Sequence, residues 1–196
     1  MIDKNKVTVI DIPCPVVIID EFYDSDEVDL IMHELNFLTP NKLLPPEESG
    51  SAHSDGRMLK KNQGIFLDDL YTEREVSNIL KVNRKAFSNE VLNLLTETHP
   101  IFESYQYANK DCTLVSHYRD DNYYEAHRDS SVFTTLSWFF NKPKPFEGGD
   151  LVLPDYNITI ECKVNRIVFM YGSTLHEVTK IKGDGRYCIS NFVNYQ

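Results

Sequence analysis

The chain has 196 residues, of which 20 are basic and 30 acidic, so its formal net charge is -10 at pH 7. This length fits one domain better than two, and a chain of this size buries a core without disulfide or metal staples. Hydrophobic residues make up 41% and aromatic residues 12% of the chain, which excludes a disordered polar protein. The acidic charge disfavours a general nucleic-acid binder, because the protein as a whole repels phosphate backbones.

The first twenty residues, MIDKNKVTVIDIPCPVVIID, are interrupted by Asp and Pro. We therefore expect neither a signal peptide nor a membrane span. Four cysteines stand at positions 14, 112, 162 and 188 without any CxxC motif, and we expect them to be reduced thiols. These features favour a cytoplasmic protein with no membrane partner, and they leave the oligomeric state open.

The N-terminal half alternates short strands with helices. Two β-branched runs at residues 7–10 and 16–19 predict strands, which are separated by prolines. Asp24 and Glu27 match a capping box, so a helix is predicted to begin there. An apolar stripe predicts a second helical region over residues 72–98.

Residues 41–64, NKLLPPEESGSAHSDGRMLKKNQG, are rich in Pro, Gly, Ser and charge and show no periodicity. Long loops inside compact domains are usually lids, binding loops or disordered segments, so we predict a lid over a binding site. Basic residues cluster at its end. They fit a solvated loop end or a lid surface that touches substrate, and Arg57 and Lys60 are our candidate substrate contacts.

From residue 104 onward, aromatic and β-branched runs alternate with turn clusters. The predicted strands are residues 105–107, 112–118, 132–140, 150–153, 158–160, 166–170 and 186–193. Regular short strands of this kind predict a sandwich or a barrel. The predicted organisation is one domain over residues 1–196, with strand and helix support in residues 1–103 and an all-β core in residues 104–196.

His127 and Asp129 are the first candidates for a metal site. Residues i and i+2 of an extended strand share a face, so these two side chains would aim at one point. An HxD triplet is common by chance and is more often a surface motif, so its meaning depends on its context. That context includes His176, which follows a predicted strand, and Arg186, which begins the last one.

Two histidines and one carboxylate with open coordination positions form the facial triad of non-haem Fe(II) oxygenases. Imidazole and carboxylate suit Fe(II) without saturating it, which leaves positions for a chelating cosubstrate and O2. An arginine near such a site can clamp a carboxylate through its planar fork of donors.

The order of these motifs carries a resemblance to a family. The strings HRD (127–129), PFEGGDLVL, NRIVFMYGSTLHEV and GRYCISNF resemble the Fe(II)/2-oxoglutarate-dependent dioxygenases, most closely the prolyl-4-hydroxylase-like branch. The lead-in VVIIDEFYDSDEVDLIMHEL is also similar to that branch. The resemblance implies a mainly β fold, a double-stranded β-helix (jelly roll, cupin-like) with N-terminal helices packed on it.

The resemblance also implies roles for single residues. His127, Asp129 and His176 would be the Fe(II) ligands and therefore the catalytic residues. Arg186 would pair with the distal carboxylate of 2-oxoglutarate, and Tyr118 would donate a hydrogen bond to that cosubstrate. O2 is the second cosubstrate, and ascorbate is a candidate reductant.

Strand parity adds Ser190, because residues 186, 188, 190 and 192 share one face of a strand. We predict that its hydroxyl faces the same carboxylate as Arg186. The related enzymes often carry a tyrosine at the position that corresponds to Phe139, which cannot hydrogen bond. Tyr118 or Tyr124 would then take that role.

The residues beside the ligands have two readings each. Tyr124 is a candidate substrate contact or a packing residue. Arg128 should point away from the metal and either contact substrate or pair with a carboxylate. His117 has the opposite strand parity to Tyr118, so we interpret it as structural or surface. Residues 138–140 are predicted to be core.

Together these expectations describe an enzyme that hydroxylates a C–H bond and converts 2-oxoglutarate to succinate and CO2. Prolyl residues of a peptide or protein are the first candidate substrate, on the resemblance alone. Asp129 favours hydroxylation over halogenation, since related halogenases lack the carboxylate. Three alternatives stay open: action on a free amino acid or small molecule, nucleic-acid oxidative demethylation, which the charge disfavours, and a non-catalytic metal-binding jelly-roll module.

Overall fold

The computed structural model describes residues 2–196. Within them the strands are β1 (Val7–Ile10), β2 (Val16–Asp20), β3 (His53–Ser54), β4 (Arg57–Met58), β5 (Lys60–Lys61), β6 (Gln63–Phe66), β7 (Lys110–Tyr118), β8 (Tyr123–His127), β9 (Phe133–Phe139), β10 (Phe146–Glu147), β11 (Leu151–Leu153), β12 (Ile158–Ile160), β13 (Arg166–Tyr171), β14 (His176–Val178), β15 (Lys182–Gly183) and β16 (Arg186–Asn194). The helices are α1 (Ser25–Asn41), α2 (Leu67–Leu70), α3 (Asn78–Asn83) and α4 (Asn89–Thr98).

The predicted start of α1 is confirmed. Asp24 accepts a hydrogen bond from the Glu27 backbone N–H at 2.9 Å, and Glu27 accepts one from the Asp24 backbone N–H at 2.9 Å. This reciprocal pair satisfies two backbone donors that a helix N-terminus otherwise leaves free. Strands β1 and β2 also form as predicted and pair with each other.

The helical region predicted for residues 72–98 is broken into α3 and α4. Ser77 and Ser88 have extended backbones, and each accepts a hydrogen bond from a backbone N–H three residues further on. A serine hydroxyl that accepts such a bond caps a new helix, so the chain begins a second helix there and does not continue the first. The apolar stripe was therefore a correct guide to the burial of Ile79, Leu80, Val91 and Leu95, but not to continuity, and Val76 is exposed.

Two antiparallel sheets make up the β core. The larger has the order β1-β2-β13-β9-β16-β7-β6, and the smaller has the order β12-β11-β14-β8-β5. Strands adjacent in space are often distant in sequence, as where β16 lies between β7 and β9. This arrangement of two facing sheets is the predicted double-stranded β-helix, or jelly roll.

The larger sheet buries both faces, so its strands are apolar on both sides. Its outer face packs on the helices through Val17, Ile19, Phe139, Ile167, Phe169, Ile189, Ile31, Leu35, Leu38, Leu80 and Leu95. Its inner face packs on the smaller sheet through Ile18, Leu136, Trp138, Val168, Met170, Cys188, Leu151, Leu153, Ile160 and Val178. The space between the sheets is where a site can form.

Two predictions about the backbone are wrong. The segment at residues 41–64 was predicted to be a long loop. It contains short strands instead, because β5 pairs with β8 of the smaller sheet and β6 pairs with β7 of the larger one. Residues 105–107 are not a strand, because Pro100–Tyr107 forms a 3-10 helix that His99 caps by accepting from the Ile101 N–H at 3.1 Å. Proline at the first position of that turn favours helical geometry over an extended chain.

Across residues 2–196, no helix has the length and apolar character that crossing a bilayer requires. All four cysteines are free thiols; Cys162 and Cys188 are buried, and Cys14 and Cys112 are half-buried.

Candidate active site

Three side chains with metal-binding chemistry converge between the sheets. His127 ends β8, and His176 begins β14 directly opposite it. Nε2 of His127 lies 3.8 Å from Oδ1 of Asp129, and Nε2 of His176 lies 3.7 Å from Oδ2 of the same carboxylate. One ligand atom from each residue lies within 4.8 Å of the other two. One ion can contact all three, because such ligand bonds are about 2 Å long.

Backbone carbonyls fix the orientation of both imidazoles. Nδ1 of His127 lies 2.8 Å from the Glu125 carbonyl oxygen, and Nδ1 of His176 lies 2.8 Å from that of Thr174. Because a carbonyl only accepts, each Nδ1 carries the proton and each Nε2 presents a lone pair to the site. Burial also lowers the pKa of His127 to about 3, so this imidazole is neutral at neutral pH.

The carboxylate of Asp129 is held by its neighbours. Thr134 Oγ1 donates to Oδ2 at 2.6 Å, and the Asp129 backbone N–H donates to the Gly172 carbonyl at 2.8 Å. Burial raises the pKa of the Asp129 carboxyl, while His176 and Thr134 act in the opposite direction. A divalent cation would stabilise the charged form. The buried set of two imidazoles and one carboxylate therefore fits an ion such as Fe(II).

Arg186 is a buried cation that forms no ion pair with a carboxylate of the described residues. Its side chain is fully enclosed, and its Nε donates to the Gly149 carbonyl at 2.9 Å. Neither Nη1 nor Nη2 has a hydrogen-bond acceptor within residues 2–196. A buried guanidinium that lacks acceptors is costly. Two parallel free donors match a carboxylate, and the site therefore fits a ligand that carries one.

Gly149 makes room for that arginine. A Cβ at this position would lie 2.7 Å from Arg186 Cδ and 2.9 Å from its Nε, well inside van der Waals contact. The backbone φ of Gly149 is also +74°, a region that L side chains rarely adopt. The GGD sequence thus supplies a turn, and the missing side chain of Gly149 lets the Arg186 side chain pack directly on the backbone.

One cavity of about 380 Å³ joins the metal ligands to Arg186. Tyr118 and Ser190 line it, and the Arg186 guanidinium carbon lies 4.5 Å from the Tyr118 ring centroid. Burial raises the pKa of the Tyr118 hydroxyl, which keeps it protonated and able to donate. The structure thus brings together every residue predicted for metal and cosubstrate binding.

Two of the four predicted substrate contacts line the cavity, and the other two lie outside its lining. Tyr124 and Arg128 line the cavity, although Arg128 also donates to the Ser173 carbonyl and to Asp155. Arg57 lies outside the cavity lining and forms a two-bond ion pair with Glu125, with both distances 2.6 Å. Lys60 is also outside that lining, and it is buried rather than exposed.

Strand parity corrects the assignment of Phe139. Its side chain packs into the outer core with the helices, with its ring 5.7 Å from that of Tyr23. The residue that faces the cavity is Trp138, whose Nε1 finds no acceptor in the described chain.

His117 is buried and its ring stacks on that of Tyr187, with the ring centroids 4.6 Å apart, as expected of a structural histidine.

Sequence reasoning missed three residues of the site. Trp138 was assigned to the core alone, and the contact of Gly149 with Arg186 links positions 37 residues apart. The hydrogen bond from Thr134 to Asp129 was also missed. The pairing of Cys188 with Trp138 in β16 and β9 places both on one face, and this register is not contained in the sequence of either strand.

The fold and the site define a metal-dependent enzyme with a pocket for a carboxylate. Residues 113–194 match the family described as the 2OG-Fe(II) oxygenase superfamily. The matched residues include the triad and Arg186, so this part of the chain has the ligand set of an oxygenase that uses Fe(II), 2-oxoglutarate and O2. A sequence comparison with curated proteins gives no significant match.

Solved structures share the fold over nearly the whole chain. The viral collagen prolyl hydroxylase of Paramecium Bursaria Chlorella virus-1 is 16% identical, with a TM-score of 0.60 over 92% of this chain and 96% of that one. A Pseudomonas putida prolyl-4-hydroxylase is 14% identical, with a TM-score of 0.62 over 92% of each chain. A Trichoplax adhaerens prolyl hydroxylase, in complex with a hypoxia inducible factor peptide fragment, is 15% identical, with a TM-score of 0.66 over 91% and 83%. At these identities the likeness establishes the fold.

Proposed function

We propose that this enzyme hydroxylates a prolyl residue within a peptide or protein. The observation that carries the proposal is a single cavity that holds the metal triad at one place and the unpaired Arg186 donors at another. The prolyl hydroxylases that share the fold support the choice of residue, and one of them was solved with a peptide.

The shape of the cavity supports a peptide rather than a free amino acid. Its lining follows β16 from Arg186 to Asn194, and eight residues of strand span roughly 26 Å. The cosubstrate needs only the Arg186 end of this length. The Asn194 end is lined by Phe66, Leu114 and Phe192, which offer an apolar wall to a neutral residue such as proline.

The residues of the chain act by holding the reactants. Fe(II) and 2-oxoglutarate together supply the oxidising chemistry, in which one atom of O2 enters a C–H bond and the other leaves in succinate, with release of CO2. Arg186 and Tyr118 would orient the distal carboxylate. His127, Asp129 and His176 would hold the ion, and the rest of the cavity would hold the cosubstrate and the substrate C–H bond beside it.

The test measures coupled turnover. Purified protein with Fe(II), 2-oxoglutarate and O2 would be offered prolyl peptides, the same peptides with alanine for proline, free amino acids and methylated oligonucleotides. We expect succinate release and the gain of one oxygen atom, seen by mass spectrometry, with the prolyl peptides only. Turnover confined to free amino acids or oligonucleotides would contradict the prolyl proposal.

Two variants separate the parts of the site. Asp129→Ala should abolish coupled turnover, because it removes the one anionic ligand. Arg186→Ala should mainly weaken 2-oxoglutarate binding, by about 100-fold, since a bidentate charged pair contributes about 3 kcal/mol. His33→Ala, on the exposed side of α1, is the matched control and should behave as the parent. An Arg186→Ala protein with unchanged 2-oxoglutarate affinity would remove that assignment.

A further inference from the structure

Tyr124 and His127 share a face of β8 although they are three positions apart. In a regular strand, residues i and i+3 point to opposite faces. Here the register opposite β14 shifts, because Val178 pairs with Tyr124 whereas His176 pairs with His127. Three steps along β8 thus match two along β14, which is a β-bulge. Bulges re-aim side chains next to active sites, and this one brings Tyr124 to the metal side.

The two rings stack closely. Their centroids lie 3.6 Å apart, and the ring planes meet at 12°. The imidazole of His127 is therefore held on one side by the Glu125 carbonyl at Nδ1 and across its plane by the phenol ring. Such outer partners of a ligand set its orientation and hence its affinity for a metal.

The hydroxyl of Tyr124 reaches a different part of the chain. Its oxygen accepts a hydrogen bond from the Ala52 backbone N–H at 2.9 Å. Ala52 lies in the segment 49–61, whose residues 50–52 line the cavity beside the metal ligands. The same segment is tied to β8 by the pairing of Lys60 with Tyr124 and by the ion pair of Arg57 with Glu125.

We propose that Tyr124 is a positioning residue that links the 49–61 segment to the metal centre. Its ring fixes the plane of the His127 imidazole, and its hydroxyl fixes the backbone of the segment at Ala52. Occupation of the metal site would then order a cavity wall that the substrate must contact. This inference rests on the metal centre of the proposed function and not on the prolyl substrate.

The two roles separate in two variants. Tyr124→Phe keeps the stacked ring and removes the hydrogen-bond acceptor, whereas Tyr124→Met has a side chain of similar length and no ring plane. The matched control is Tyr123→Met, because Tyr123 lies on the same strand but outside the cavity lining. The probe is Co(II) alone, without 2-oxoglutarate or O2, so the result does not depend on any hydroxylation.

Calorimetry and the visible spectrum of bound Co(II) test whether the Tyr124 ring orients the His127 imidazole. Tyr124→Met should weaken Co(II) binding about tenfold or more and alter the spectrum, in line with the usual effect of removing an outer partner of a ligand. Tyr124→Phe and the control should bind Co(II) within about twofold of the parent with the parent spectrum. If Tyr124→Met does not fold, as judged by thermal unfolding, Tyr124→Leu replaces it. Parent-like binding and spectrum in a folded, ringless variant would overturn the positioning role.

Hydrogen exchange of residues 49–61 reports on the hydroxyl. In the parent, Co(II) should slow the exchange of this segment. In Tyr124→Phe, Co(II) should still bind but should no longer slow that exchange, while the Tyr123→Met control should respond as the parent. Equal slowing in the parent and in Tyr124→Phe would overturn the link between segment and metal, whatever the substrate proves to be.

Discussion

At the scale of single residues, Gly149 makes a sharp prediction about the carboxylate pocket. Alanine there would put a methyl group 2.7 Å from Arg186 Cδ and displace the guanidinium. We expect Gly149→Ala to weaken 2-oxoglutarate binding by about 10- to 100-fold, as loss of a well-placed charged pair does. Metal affinity should stay at the parent value, because the triad is held by other contacts.

Gly56→Ala is the matched control for this variant. Its φ of +75° equals that of Gly149 within a degree, but a Cβ there would meet no atom of the described chain within 4 Å. It therefore carries the same backbone strain without the clash. Calorimetric titration of both variants separates the two effects, and equal loss of 2-oxoglutarate affinity in both would refute the steric explanation.

Lys60 predicts a stability that depends on pH. Its ammonium is buried and donates to the Ser49 carbonyl at 2.6 Å, and burial lowers its pKa from 10.5 to about 8. A lowered lysine pKa means that the charged form is disfavoured in the folded state. The cost is therefore full below pH 8, falls as pH rises, and is gone above pH 10.5.

Lys60→Met should remove this cost. We expect the variant to be more stable than the parent by about 1–3 kcal/mol at pH 7, less the lost hydrogen bond to Ser49. The advantage should shrink between pH 8 and 10.5, which urea unfolding at several pH values would measure. A variant that is less stable than the parent at pH 7, or a difference independent of pH, would contradict the argument.

At the scale of elements, the N-terminal caps of α3 and α4 differ in how much they contribute to the free energy of unfolding. Ser77 accepts from the Leu80 N–H at 3.1 Å and donates to buried Glu34 at 2.8 Å, while Ser88 makes one long bond of 3.4 Å to the Val91 N–H. Ser77→Ala should cost about 2 kcal/mol of unfolding free energy, because it removes a cap and leaves a buried carboxylate under-satisfied.

Ser88→Ala serves as the comparison and should cost about 0.5–1 kcal/mol. Denaturant unfolding of the two variants measures the difference. Equal losses would mean that the Glu34 contact adds nothing to the cap.

The long strands β7, β9, β13 and β16 were predictable, because alternation and turn clusters are local signals. The shorter strands β3–β6, β8, β10, β14 and β15 were not predicted. Parity along β16 was sufficient to place Arg186 and Ser190 in one cavity. Parity could not place Tyr124, because a bulge is decided by the pairing of β8 with β14, which the sequence of β8 alone does not contain. The break between α3 and α4 was missed for a related reason, since hydrophobic spacing continues across a serine that caps.

The likeness to a family named three candidate ligands that converge in the structure, but it misplaced Phe139. A shared motif carries over the order of residues, and a shift of one position moves a side chain to the other face of a sheet. Trp138 occupies the cavity side instead, with its Nε1 unpaired among the described residues. The face of a sheet on which a side chain lies depends on how the strands pair. It therefore follows from the strand register and not from resemblance to a family.

At the scale of the whole molecule, β16 holds the larger sheet together. It pairs along its length with β7 on one side and β9 on the other, and it carries Arg186 and Ser190. A chain that stops before Arg186 should lose the cooperative unfolding transition and all 2-oxoglutarate binding. The near-ultraviolet circular dichroism and a titration would test this.

The control is a chain that stops after Asn194. It removes the Tyr195 hydroxyl that donates to the Ser104 carbonyl at 3.0 Å, and it leaves β16 intact. We expect a loss of about 1 kcal/mol and unchanged ligand binding. If the shorter chain, which lacks β16, still unfolds cooperatively, the central role of this strand is refuted.

The central position of β16 has a consequence for synthesis on the ribosome. Every other strand of the larger sheet is translated before it, so β7 and β9 wait with one edge each unpaired until residue 194 has cleared the exit tunnel. Exposed strand edges are where nascent chains pair wrongly with one another. We therefore expect this protein to depend on chaperones until β16 has paired with both neighbours, because that interval is its most aggregation-prone.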